Sequence, residues 1–291
     1  MRKMRGGQKR TDPERAEERK GKAMRTQILA EDGQLLVCLK PAGLAVQSAR
    51  PGEADMVSEL KNYLAASEKG KKGAGGRRAP YLGVVHRLDQ PVSGILVFAK
   101  TPEAAAALSR QASGMQDVPE KGTGGGKKRV SPKQMEKEYR ALVYVSERAL
   151  LPEEKKEREL TDFLKKEPGQ NLSRVVAPET PGAKRARLFC HAAGPAVHTS
   201  SGGHACLAVR LDTGRHHQIR VQLSHAGLPI LGDTRYGSAE SLEYAARLGI
   251  RSLCLCACRL CFFHPVTGKR MEFEIASYPW EAALKREHPG E

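Results

Sequence analysis

The apolar positions from Ile28 onward come in short runs separated by turn residues. In ILAEDGQLLVCLKPAGLAVQ, Asp32-Gly33 and Pro41-Ala42-Gly43 punctuate two such runs, which predicts strand, turn, strand, turn: an antiparallel opening. Residues 53 to 66 (EADMVSELKNYLAA) place Met56, Val57, Leu60, Tyr63 and Leu64 at helical spacing and predict an amphipathic helix. Ile95 to Ala99 is a wholly apolar strand. Thr101-Pro102-Glu103 then has the form of an N-cap, a first-turn proline and a first-turn acid, opening a helix through about Gln111. EKEYRALVYV alternates Tyr139, Ala141, Val143 and Val145 as a strand does. The middle of the chain is less legible, although AKRARLFC and HACLAVRLD read as strands, the latter with Leu207, Val209 and Leu211 on one face. In GRHHQIRVQLSHAGLPILGDTRYG a turn glycine precedes Ile219, Leu223 and Ala226 at i, i+4 and i+7, so a helix begins near His216; a second covers Ser238 to Leu248. LCLCACRLCFFHPVTGKRMEFEI reads as a hairpin around a Pro-Val-Thr-Gly turn. The sum is an α+β chain with a mixed, largely antiparallel central sheet and flanking helices.

Composition narrows the partners. The 291 residues hold 49 Lys plus Arg against 33 Asp plus Glu, a formal charge of +16. Such a balance favours polyphosphate surfaces, because cations that neutralise phosphates release counterions. With no basic amphipathic helix carrying an aromatic apolar face, nucleic acid is preferred to a membrane. Aromatics are only 5%, which argues against an extended stacking platform for single strands. No apolar stretch of about 18 residues exists, and MRKMRGGQKR has no apolar segment behind its charges, so neither a spanning helix nor a secretory signal is expected. Seven cysteines without framework spacing suit a reducing compartment, and the expected location is the cytoplasm. The basicity is uneven. Residues 1–25, 68–78 and 113–140 carry +13 of the +16, in a tail and two Gly/Lys-rich stretches that read as insertions.

Several patterns suggest chemistry and fail on spacing. Cys254, Cys256, Cys258 and Cys261 resemble a metal cluster, but alternation on a strand puts the first three on one face as small buried hydrophobes, and no second ligand pair follows. GTGGGKKR lacks the G-x-x-x-x-G-K-[ST] spacing of a phosphate loop. His216 and His217, if helical, diverge by about 100° and do not converge on one metal. No zinc or serine hydrolase motif is present. The cluster His86-Arg87-Leu88-Asp89 differs in kind. It sets an imidazole, a guanidinium and a carboxylate just before a Pro-Val-Ser-Gly turn and a buried strand, where a rigid scaffold can present catalytic groups; a structural Arg87/Asp89 ion pair is the plain alternative.

HRLDQPVSGILVFAKT, KEYRALVYV, GRHHQIRVQLSHAGLPILGDTRYG and LCFFHPVTGKRMEFEI, in that order, resemble the RluA-type pseudouridine synthases of the RsuA/RluA superfamily, over roughly residues 28 to 276. The resemblance implies the pseudouridine synthase catalytic fold, two subdomains around a cleft, and an enzyme that isomerises uridine in ribosomal or transfer RNA without cofactor or metal, as a monomer. It implies that Asp89 is the essential carboxylate. Tyr139 would pack on the target base and assist proton removal from C5, Arg220 would pair with the aspartate, and Arg87 would help hold the flipped-out substrate. His86, Arg215, His217 and Gln218 would also contact substrate. It divides the chain into a basic tail (1–27), a catalytic domain (28–280) with basic insertions near 67–80 and 113–133, and a C-terminal tail (281–291).

Three departures stand out. Val92 replaces the threonine common before Ser-Gly, His216 replaces a threonine, and Gln222 stands where a later histidine is usual; the last two sit beside Arg220 and bear on RNA contacts. Burial would raise the pKa of Asp89, and Arg220 would oppose that. The alternative function is a non-catalytic RNA-binding or ribosome-assembly protein on the same fold, for which a buried carboxylate facing phosphate would be a liability.

Overall fold

The computed structural model describes residues 24–50, 52–69, 79–113, 134–154, 156–199 and 202–287. The basic tail to residue 23, most of both insertions and the GTGGGKKR run lie outside the described residues.

Turn chemistry sets the opening hairpin. Asp32 Oδ1 accepts from the backbone N–H of Gln34 and Leu35 at 2.7 and 2.9 Å, which pairs β1 (Gln27–Glu31) antiparallel to β2 (Leu35–Lys40). α1 (Met56–Lys69) starts at Asp55, whose Oδ1 caps the N–H of Ser58 at 2.7 Å, and lays Met56, Leu60 and Leu64 against β2. A short β3 (Gly83–Val84) leads to β4 (Ser93–Ala99), buried along its whole length. α2 (Pro102–Ser113) begins as the N-cap signal requires, with Thr101 Oγ1 accepting from Ala104 N at 3.2 Å.

The second half is a broader antiparallel array. It comprises β5 (Glu136–Val145), β6 (Arg158–Lys166), β7 (Ser173–Val176), β8 (Lys184–Ala192), β9 (Val197–Thr199) and β10 (Gly202–Leu211). Then come α3 (Gln218–His225), α4 (Ala239–Arg247), β11 (Leu255–Phe263), β12 (Arg270–Glu274) and α5 (Glu281–Glu287). The strands form one sheet in the order β1-β2-β4-β11-β5-β10-β8-β6-β7, with β3 on β4, β12 on β11 and β9 on β10. Every pairing is antiparallel except β4 with β11, the seam between the two halves. There Gly94 adopts φ +133°, and a Cβ at this position would run into the backbone N and O and the side chain of Ala257. Only glycine permits that approach. Ala257 in turn faces Tyr139 on β5, so the entrance of β4 and the middle of β5 lie two strands apart.

The structure corrects four expectations. β6 and β7 join the sheet where the pattern was unreadable, because this outer end carries charge on its exposed positions and offers no alternation to follow. Residues 281–287 are helix α5, not tail, with Ala283 and Leu284 against the main core. α3 begins at Gln218, and His216 and His217 precede it; they stack at 3.8 Å rather than diverging. All four clustered cysteines are buried, but Cys254 precedes β11 and the register slips between Ala257 and Arg259, so alternation breaks at Cys258. Among the described residues, no group of three or more His, Cys, Asp or Glu is placed to hold a metal ion, and no helix is long and apolar enough to cross a membrane.

Candidate active site

Asp89 lies on the loop that enters β4 at the seam. That loop is held from below by Lys40, the last residue of β2 and fully buried. Its Nζ donates to the carbonyls of Val92 (2.6 Å), Gln90 (2.8 Å) and Pro41 (3.1 Å), one acceptor for each ammonium proton. Burial pushes Lys40 down to about 7, against the pull of Asp89. The three carbonyls favour the charged form, since a neutral amine could satisfy only two of them. Val92, which departs from the usual threonine, is buried in the main core cluster that also holds Tyr139 and Ala257.

Facing Asp89 are two residues at the start of α3. Arg220 Nη1 stands 3.7 Å from Asp89 Oδ2, and His217 Nε2 stands 3.6 Å from the same oxygen. The rest of the Arg220 guanidinium is committed elsewhere. Nε and Nη2 grip Asp233 at 2.8 and 2.7 Å, a two-pronged pair in which both side chains are buried. Asp233 Oδ1 also accepts from the backbone N–H of Arg235 and Tyr236 at 3.0 and 3.2 Å, so the carboxylate is saturated. Nη1 is buried and has no hydrogen-bond partner among the described residues.

His217 has φ +55° and ψ +25°, a left-handed conformation costly for a side chain with a Cβ. Tertiary contacts hold it there. The backbone N–H of Ser173 donates to Tyr236 Oη at 2.9 Å, so the phenol proton is free for His217 Nδ1 at 2.8 Å. With Nδ1 accepting that proton, Nε2 carries the ring hydrogen and directs it toward the Asp89 carboxylate 3.6 Å away. Burial and then the neighbouring Arg220 push His217 down to about 3, so this imidazole is neutral. Arg220 also lies over the Tyr236 ring at 5.0 Å.

Burial raises the pKa of Asp89, opposed by Arg220, His216 and Lys40. The cations oppose the shift without reversing it, because the nearest is a non-bonded 3.7 Å away and spends its strong bonds on Asp233. Tyr139 is buried, and its phenol is raised well above its ordinary value by burial and then by the charge of Asp89. It is therefore a neutral hydroxyl at physiological pH.

The expected site residues separate into two groups. Asp89, Arg220 and His217 come together, Tyr139 is near enough for the Asp89 charge to act on its phenol, and Arg87 is exposed on the Asp89 loop. His86 points into the sheet. Its Nε2 accepts from Val97 N at 3.3 Å, and burial and then Lys137 hold it well below its ordinary pKa. Gln218 is buried and braces its own loop, accepting from Thr213 Oγ1 and Arg215 N and donating to Arg187 O and Gln222 Oε1. Arg215 is exposed, with Nε on Arg185 O at 3.0 Å. Gln222 is fully buried against Asp162, Leu160 and Ala186, which takes it away from any RNA contact. Lys40, Asp233 and Tyr236 were not singled out from sequence. Asp233 and Tyr236 fall inside the GDTRYG run and Lys40 inside LVCLKPAG, but nothing local marks them as partners of Asp89.

A family model described as RNA pseudouridylate synthase matches residues 34–225. The chain is 30% identical over 263 residues to ribosomal large subunit pseudouridine synthase D of Zymomonas mobilis subsp. mobilis, covering 89% of this chain and 71% of that protein. It is 30% identical over 270 residues to the protein of the same name from Xanthomonas campestris pv. campestris, covering 89% and 67%. Its fold is similar to that of the solved human RNA pseudouridylate synthase domain containing 4, with a TM-score of 0.61, 19% identity and coverage of 89% and 92%. An enzyme acting on RNA is the class these matches define. The chain belongs to the RNA pseudouridylate synthase family, and is an RNA uridine isomerase.

Proposed function

We propose that this enzyme converts uridine to pseudouridine in large-subunit ribosomal RNA, with Asp89 as the carboxylate on which the chemistry depends. The observation that carries the assignment is a carboxylate opening to solvent, with 29% of its side chain exposed, beside a buried guanidinium nitrogen that has no other partner. The names of the two synthase D relatives support the ribosomal target.

The reaction breaks the N1–C1′ bond, forms a C5–C1′ bond, removes the proton from C5 and leaves one on N1. Atoms balance without a co-reactant, so neither cofactor nor metal is called for. The target uridine must leave its stack, at a cost of a few kcal/mol, and enter the cleft. Attack on C1′, attack on the base and removal of the 2′ proton all need Asp89 ionised. Arg220 Nη1 and the Nε2–H of His217 stabilise that anion at close to 4 Å without tying it up. Tyr139 offers a ring for the base and a neutral hydroxyl near C5. Arg87 meets displaced phosphate. The proposed working form is a monomer in the cytoplasm.

Carbodiimide mapping of ribosomal RNA from a null strain, complemented with wild type or Asp89→Ala, tests the proposal. A site lost in the null, restored by wild type and not by the variant is the expected result. No lost site in ribosomal RNA would overturn the target, and restoration by the variant would overturn the role of Asp89 and favour a binding protein.

A further inference from the structure

His216 is engaged on every side, yet none of its bonds reaches its own helix. Nδ1 is 2.8 Å from Ser173 Oγ at the start of β7, and Nε2 is 2.8 Å from Asn171 Oδ1 in the β6–β7 turn. Its ring lies flat on His217 at 3.8 Å, inclined 24°. The same turn is tied twice more to the active-site wall. Arg235 Nη1 donates to Asn171 O at 2.8 Å, and Ser173 N donates to Tyr236 Oη at 2.9 Å. A hairpin at the edge of the sheet, which needs none of these bonds to form its own ladder, is thus docked at the active-site wall by the His216 imidazole together with Arg235 and Tyr236. The groups facing His216 are Asp89 from the β4 loop, Lys166 from β6, Arg220 from α3 and Arg235 from the loop before α4. Lys166 and Arg235 are exposed.

We propose that His216 is a substrate-positioning residue. It docks the 166–173 hairpin so that Lys166 and Arg235 form a phosphate-binding rim beside Asp89, for the RNA backbone flanking the target uridine. The inference rests on the reading of this cleft as an RNA site. Both ring nitrogens are needed. Asn171 Oδ1 accepts from Nε2–H, and Ser173 Oγ–H donates to Nδ1, so the neutral ring completes both bonds. Releasing the ring would remove two of the four side-chain ties that hold the turn and loosen the placement of Lys166 relative to the carboxylate. Fixed placement lets phosphate contacts act on one register of the RNA.

Steady-state kinetics and salt-dependent filter binding on an unmodified large-subunit ribosomal RNA transcript test this, with binding measured in an Asp89→Asn background. His216→Ala removes two ordinary hydrogen bonds, and kcat/KM is expected to fall about tenfold, with KM taking more of the loss than kcat. The slope of log affinity against log salt should become shallower by about one phosphate contact or more. Asn171→Ala should reproduce both effects, and the double variant should be no worse than either single one. His216→Gln keeps a donor toward Asn171 and should recover most of the loss. Lys166→Gln, which disturbs no buried bond, should flatten the salt slope by about one on its own. An unchanged salt slope and KM in His216→Ala, with only thermal stability reduced, would overturn the proposal, as would a Lys166→Gln protein with the wild-type slope. If wild type leaves the transcript unmodified, the target assignment fails, and the binding slopes still decide the role of His216.

Discussion

Arg220 stands 3.7 Å from Asp89 and makes no hydrogen bond to it. The arginine is instead fixed by Asp233, so it supplies a positive field at the Asp89 carboxylate without a hydrogen bond that would tie up its lone pairs. A direct two-pronged pair would oppose the upward shift of the Asp89 pKa more strongly and occupy the oxygens proposed to react.

Asp89→Asn should abolish pseudouridine formation yet leave the fold as stable as wild type, or more so, near neutral pH. Burial raises the Asp89 pKa, so the folded state holds the proton more tightly than the unfolded chain does. Wild-type stability from this group is therefore full below the unfolded value and is lost as pH rises through the folded one. Thermal melts of both proteins from acid to neutral pH should show the variant's advantage shrinking as pH falls. The same direction places the acid limb of kcat/KM above the ordinary aspartate range.

Asp233→Ala leaves the Arg220 charge buried and unpaired and should cost about 3–5 kcal/mol by denaturant titration. Arg220→Lys should also fail, because an ammonium cannot hold Asp233 with two prongs and face Asp89 with a third nitrogen.

Lys40→Met removes a buried donor shared by the carbonyls of Gln90 and Val92 in the Asp89 loop and by that of Pro41, although Gln90 O keeps the backbone N–H of Gly43. A loss of about 2–4 kcal/mol in unfolding free energy is expected. Activity should fall even at temperatures where the variant stays folded, because Asp89 loses both a support and a nearby cation.

Gly94→Ala places a methyl group on Ala257 and demands φ +133° of a residue with a Cβ. The β4–β11 seam must open to admit it. Soluble yield or melting temperature should drop sharply, and any folded protein should be nearly inactive, since Asp89 and Tyr139 are aligned across that seam.

Tyr139→Phe keeps the ring and loses the hydroxyl. RNA affinity should change little, while single-turnover rates fall by about 10²–10⁴ if the phenol takes part in proton transfer at C5. A rate within a factor of a few of wild type would limit Tyr139 to stacking.

Local signals in the chain carried the opening hairpin, the capped helices, the terminal hairpin and the buried cysteines, because periodicity, N-caps and turn residues act over a few positions. They failed at β6 and β7, where exposed positions are charged and neighbouring strands, not pattern, decide the conformation. They also failed at His217, whose left-handed backbone is imposed by Tyr236 and the stacked His216. Gln222 and Gln218 looked like ligands for RNA because they flank Arg220 in the chain, but on a buried helix adjacent positions point to different elements.

By itself the sequence determined the family, the α+β class, the uneven distribution of basic residues and Asp89 as the candidate carboxylate, the family and Asp89 through short ordered motifs. Only the tertiary structure decided which groups besides Arg220 act on that carboxylate and what fixes Arg220. Lys40, Asp89 and the segment from His216 to Asp233 are far apart in the chain, and the distances among them follow from strand order and from the one parallel seam, which no local pattern encodes.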